Sequence, residues 1–108
     1  MPKYMYQVAY TSESWATQLG SPQDREQQIG EVVQRLGGRL ETFYYAFGDY
    51  DLVLIADFPD NESAAAISLA ATSGGAVKSI KTTPLMTTSQ GMEAMRKAAG
   101  AGYRPPSG

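Results

Sequence analysis

The chain of 108 residues has the size of one domain, since single domains cluster at about 50–250 residues. With 43% hydrophobic and 19% charged residues it is no disordered chain, and a net charge of −2 leaves no basic excess to hold nucleic acid through its phosphates. Cysteine and histidine are both absent, which excludes disulfides, thiolate chemistry, zinc sites built on those residues and the commonest general base near neutral pH.

Lys3 to Tyr10 carries Tyr4, Tyr6, Val8 and Tyr10 at period two and reads as a strand. Thr11 to Ser14 is a polar break that caps one or two helical turns with Trp15 and Leu19, ended by Gly20. A longer helix is expected over about 22–36, with Ser21 as N-cap, Pro22 at the first position and Asp24 in the first turn. Ile29, Val32, Val33 and Leu36 form its apolar stripe, and Gly37-Gly38 stops it. Arg39 to Phe47 and Tyr50 to Phe58 read as strands joined by a two-residue turn at Gly48-Asp49. The run Leu52-Val53-Leu54-Ile55-Ala56 is apolar on both faces, which marks a central strand. Asp60 caps an Ala-rich helix over about 61–72, whose small side chains would let it lie close to the sheet. Val77 to Met86 is a fourth strand, confined to an edge by Pro84. Thr88 or Ser89 then caps a last helix carrying Met92 and Met95. The domain is placed at 1–99, with a mobile tail over 100–108. No run approaches the roughly 20 apolar residues of a membrane span, and no secretory leader is visible.

The order is α+β: a ferredoxin-like βαββαβ chain with a four-stranded antiparallel sheet and an extra C-terminal helix. Across the hairpin, Phe47 should face Tyr50, Tyr45 face Leu52 and Phe43 face Leu54. Thr42, Tyr44, Ala46, Asp51, Val53 and Ile55 then share the opposite face, and neither face is polar. Two helices cover one side only, so the other needs a partner surface, expected to be a second copy; the bland alternative is a C-terminal helix folded back over it.

Gly48-Asp49-Tyr50-Asp51, with the apolar strand after it and Pro59-Asp60-Asn61-Glu62, resembles the signature of the GYD family of small bacterial proteins. The opening Met1-Pro2-Lys3-Tyr4, the Leu36 to Leu40 junction, the Phe43 to Phe47 strand and Thr82-Thr83-Pro84-Leu85 are similar to its pattern too, so the resemblance runs over about 1–95. It implies a dimeric α+β barrel-type association, in which two ferredoxin-like sheets pack face to face. It implies no activity.

Asp51 carries two readings. It can tie down the hairpin by accepting from backbone N–H groups, as aspartates beside turns do, or it can serve a ligand or reaction. The first is preferred. Gly48, Tyr50 and Asp51 make up the structural motif, with Gly48 supplying positive φ and Asp49 a solvated turn residue. Tyr44, on the face of Asp51, and Thr42 beside it are candidate ligand contacts, against packing with a satisfied hydroxyl. Lys78, with Lys81 and Arg39, is a candidate anion contact, against solvated strand-edge residues. Met92 and Met95 read as packing, and Ser73-Gly74-Gly75 as a helix stop. No cofactor and no metal is expected.

Two functions compete. One is a non-catalytic homo-oligomeric module that binds a small molecule between subunits, similar to effector-binding domains of bacterial transcription regulators. The other is a cofactor-free enzyme, similar to monooxygenases and isomerases of the barrel group, acting on a small aromatic or lactone substrate through Asp51, Tyr44 and a lysine. The first is preferred, in the cytoplasm, with neither nucleic acid nor membrane as partner.

Overall fold

Period-two aromatics make β1 (Lys3–Tyr10) a central strand, with Tyr4, Tyr6, Val8 and Tyr10 all buried on one side. The computed structural model describes residues 1–107. After β1 come α1 (Ser12–Gly20), α2 (Arg25–Arg35), β2 (Arg39–Tyr45), β3 (Leu52–Asp57), α3 (Asn61–Ser73), β4 (Val77–Leu85) and α4 (Thr88–Ala99). The strands pair antiparallel in the order β2-β3-β1-β4. This is the α+β, ferredoxin-like sheet that the element order predicts, with Pro84 on an edge strand.

One face of that sheet is the core. Tyr6, Leu52 and Phe58 are fully buried there with Val33 of α2, and Ala64 of α3 packs against the same cluster. Ile29, Leu36 and Ile67 close over it from the two helices. Tyr6 donates its hydroxyl to the Ala64 carbonyl at 2.7 Å, and burial pushes that phenol well above its usual range, so it remains a donor.

Three local expectations are corrected. Ser21 does not start α2: its N–H closes α1 by donating to the Thr17 carbonyl, and Asp24 caps α2 by accepting from the Gln27 N–H at 3.0 Å. The Gly48-Asp49 turn keeps the expected register, Tyr45 opposite Leu52 and Phe43 opposite Leu54, but not the expected length. The last ladder bond joins the Ala46 N–H to the Asp51 carbonyl, so Phe47 and Tyr50 do not pair and Phe47 stands fully in solvent. Among the described residues the β1–β3 pairing ends at Val8↔Leu52, so no third strand holds the hairpin tip in the sheet. Gly48 has φ +148°, a value that favours glycine. Thirdly, α4 is capped by Thr87, which exchanges a reciprocal pair of bonds with Gln90.

The C-terminal helix does not fold back over the sheet. Among the described residues none of α4 is buried, and Met92 and Met95 are exposed. The radius of gyration is 17.4 Å and the long axis 57 Å, whereas a compact chain of this length would have a radius near 13 Å. A 12-residue helix with two methionines on its side is thus displayed, not spent on the core. Residues 101–107 beyond it are exposed, and Gly108, the last of the expected tail, lies outside the described residues.

Candidate functional site

Asp51 sits where the hairpin, β1 and α1 meet. Its N–H donates to the Val8 carbonyl, and its carboxylate accepts from the Tyr10 N–H at 2.8 Å and from the Trp15 indole N–H at 3.3 Å. The Trp15 ring stands edge-on to Tyr10 with centroids 5.4 Å apart. One carboxylate therefore fixes the end of β1, the start of β3 and the orientation of α1, as the hairpin-tie reading expects. Asp51→Ala should lower stability by about 1–3 kcal/mol, because two donors lose their acceptor, and should shift the emission of Trp15. A thermal melt beside the parent checks this; an unchanged or higher midpoint would make Asp51 the first place to look for chemistry.

The face opposite the core carries Met5, Gln7 and Ala9 of β1, Val53 and Ile55 of β3, and Thr42 and Tyr44 of β2, since residues paired across the ladder share a side. Both α2 and α3 lie on the other face. Met5, Val53 and Ile55 are half-buried, and Tyr44 is 69% exposed. Thr83 and Leu85 of β4 extend the same surface through their pairing with Met5 and Lys3.

At one end of this face the register brings Lys3, Asp57 and Arg39 side by side across three strands. Lys3 Nζ lies 2.9 Å from Asp57 Oδ1 and 2.6 Å from Glu41 Oε2, and Arg39 approaches Asp57 Oδ2 at 3.3 Å. Glu41 reaches in because the β2 register slips between Leu40 and Thr42, which makes it a bulge residue. Asp57 is 5% exposed, and such a charge is tolerated only when paired. The hydrogen bond from Lys3 holds the Asp57 carboxyl below its usual range, against the opposing effect of burial. Asp57 therefore stabilises the fold above about pH 4, the ordinary carboxylate value, and that contribution is lost as pH falls through the lower folded value. Asp57→Asn should melt below the parent at pH 7, with the two curves converging toward pH 2; a constant offset across the range would contradict the pairing.

The sequence-derived candidates do not converge. Thr42 and Tyr44 lie on the open face, Asp51 turns to Tyr10 and Trp15, and Lys78 is exposed where the β1–β4 register slips between Ser79 and Val77. Among the described residues, none of these four lines the cavity over the sheet centre, the cleft beside α1 or the hollow between α3 and β4. Arg39 is engaged with Asp57. The ionic cluster went unread, although antiparallel pairing of Lys3, Asp57 and Arg39 could have been counted from the strand ends. Trp15 as the second donor to Asp51 left no signal in the sequence. Among the described residues no cluster of acidic side chains could hold a metal ion.

Sheet order, helix placement and hairpin together define a ferredoxin-like α+β domain. A family model described as the GYD domain matches residues 4–95, and the chain belongs to that family. Among solved structures it is similar to the crystal structure of MtbAldR (Rv2779c), with a TM-score of 0.59 and 19% identity over 80% of this chain and 53% of that one. At that identity the likeness concerns the fold alone, and the match spans about half of the neighbour's length. No curated protein matches the sequence.

Proposed function

We propose that the protein is a non-catalytic, self-associating module whose copies meet through the open sheet face and enclose a small molecule at the seam, where Thr42 and Tyr44 would touch it. The observation that carries this is the row Met5, Val53 and Ile55, half-buried apolar residues at the centre of a face opposite both core helices. An apolar patch of this kind on a soluble domain marks an interaction surface. Self-association through one patch gives a closed, two-fold dimer, and Met92 and Met95 of α4 are further exposed apolar side chains. The enzyme reading has no comparable support, because Asp51 is committed to two donors of the fold.

Cysteine-free composition supports a cytoplasmic setting. Among the described residues no helix is long and apolar enough to cross a membrane. Light scattering at micromolar concentration should give twice the 11.6 kDa of one chain. A monomer under those conditions would overturn the proposal.

A further inference from the structure

On the other side of the sheet, α2 leans on β2 and α3 on β4. These are the two edge strands, so the helices straddle the sheet and leave space over the central pair β1 and β3. That space is a cavity of about 220 Å³, floored by Val8, Leu52 and Leu54 and walled by Ile29 and Ala71. Ala70 and Ala71 of α3 line it and are too small to fill it. The space opens to solvent between the two helices, where Ala70 is exposed and Ile29, Ile67 and Ala71 are half-buried. A cavity of about 150 Å³ is large enough for benzene, so this one has room for a ring with a short substituent.

The cavity is apolar along its walls but has a polar end. Tyr10 is 6% exposed, and its hydroxyl has no hydrogen-bond partner among the described residues. Tyr10 and Arg25 border both this cavity and an adjoining polar cleft of about 220 Å³ lined by Ser14, Thr17 and Gln23. Arg25 is held by the Gln28 side-chain oxygen and forms no salt bridge among the described residues. No carboxylate borders either space among the described residues. A guanidinium in that position presents forked donors suited to a carboxylate.

We infer that this cavity is a binding site for a small aromatic carboxylic acid. The ring lies over Val8, Leu52 and Leu54, and the carboxylate accepts from the Arg25 guanidinium at the junction of the two spaces. The site is built within one protomer, on the face opposite the proposed seam, and does not depend on association.

Trp15 is the chain's one tryptophan and stands edge-on to Tyr10, so its emission reports occupancy. The full chain is titrated with phenylacetate and with its neutral counterpart phenylacetamide. Phenylacetate should give a saturable change, and phenylacetamide should bind at least tenfold more weakly. Arg25→Gln should weaken phenylacetate at least tenfold. Ala71→Phe, which fills the cavity, should abolish binding while keeping the parent's far-UV circular dichroism, with Ala71→Leu as the milder filling variant. Absence of saturable binding in the parent, equal binding of the amide, or unchanged affinity in a folded cavity-filled variant would each overturn the assignment. The mass of the protein is measured in the same samples, so a monomer that binds phenylacetate refutes association and leaves the site standing.

Discussion

Gly38→Ala is expected to cost the upper end of the roughly 1–3 kcal/mol typical of overpacking, or more, because its Cβ has nowhere to go. A Cβ built at Gly38 would lie 2.3 Å from the Asp57 carbonyl oxygen and 2.7 Å from the Phe58 ring. The obstacle is backbone of β3 and the edge of a fully buried ring, not the end of a flexible side chain. Either β2 moves off β3 where it starts, which also disturbs Arg39 opposite Asp57, or Phe58 leaves the core. The neighbouring Gly37 is a useful contrast. Its φ of +83° makes the residue left-handed, but an added Cβ would meet nothing closer than Pro59 at 3.5 Å. Gly37→Ala should therefore cost only the left-handed penalty of about 1–2 kcal/mol. Urea midpoints of the two variants beside the parent check the order; equal midpoints would show that the β2–β3 approach is looser than described.

Phe58→Ala should cost about 3–5 kcal/mol, the range for deleting a buried aromatic ring. Phe58 is 0% exposed and meets Tyr4 and Tyr6 edge-on at 6.1 and 6.3 Å between centroids. Those two tyrosines are anchored to α3 through Asn61 and the Ala64 carbonyl, so the void would open between tethered groups that cannot readily collapse into it. Against a total stability of about 5–15 kcal/mol for a native domain, such a loss removes a large share of the folding free energy. Phe58→Leu should recover most of it, since volume-conserving apolar changes usually cost less than about 1.5 kcal/mol. Chemical denaturation followed by circular dichroism measures both. A midpoint for Phe58→Ala within experimental error of the parent would contradict the core placement.

The fold was legible because its signals were local and agreed with one another. Alternating tyrosines marked β1, the stripe Ile29-Val32-Val33-Leu36 marked α2, and Asp60 after Pro59 marked the start of α3. The hairpin register followed from one turn and proved right at Tyr45↔Leu52. Where two good caps competed, reading failed: Ser21 and Asp24 both suit a helix start, and only the bond that closes α1 decides between them. The apolar cavity was illegible for a related reason. The alanines of α3 were read as allowing close packing, but α2 and α3 rest on opposite edges of the sheet, so the same small residues leave a gap over its centre. Spacing of helices across a sheet is a tertiary quantity that composition does not encode. Asp51 lay between: its carboxylate bond to a backbone N–H followed from its place beside a turn, but Trp15 reached it through the fold.

The proposed self-association runs through the face carrying Met5, Val53 and Ile55. Light scattering of Ile55→Glu beside the parent tests it most directly, because a charge at the centre of a buried apolar seam is expelled, whereas on an open protomer face it is solvated. The expected result is a parent of twice 11.6 kDa and an Ile55→Glu protein of the single-chain mass with the parent's far-UV spectrum. A folded Ile55→Glu protein that keeps the dimer's mass would contradict it.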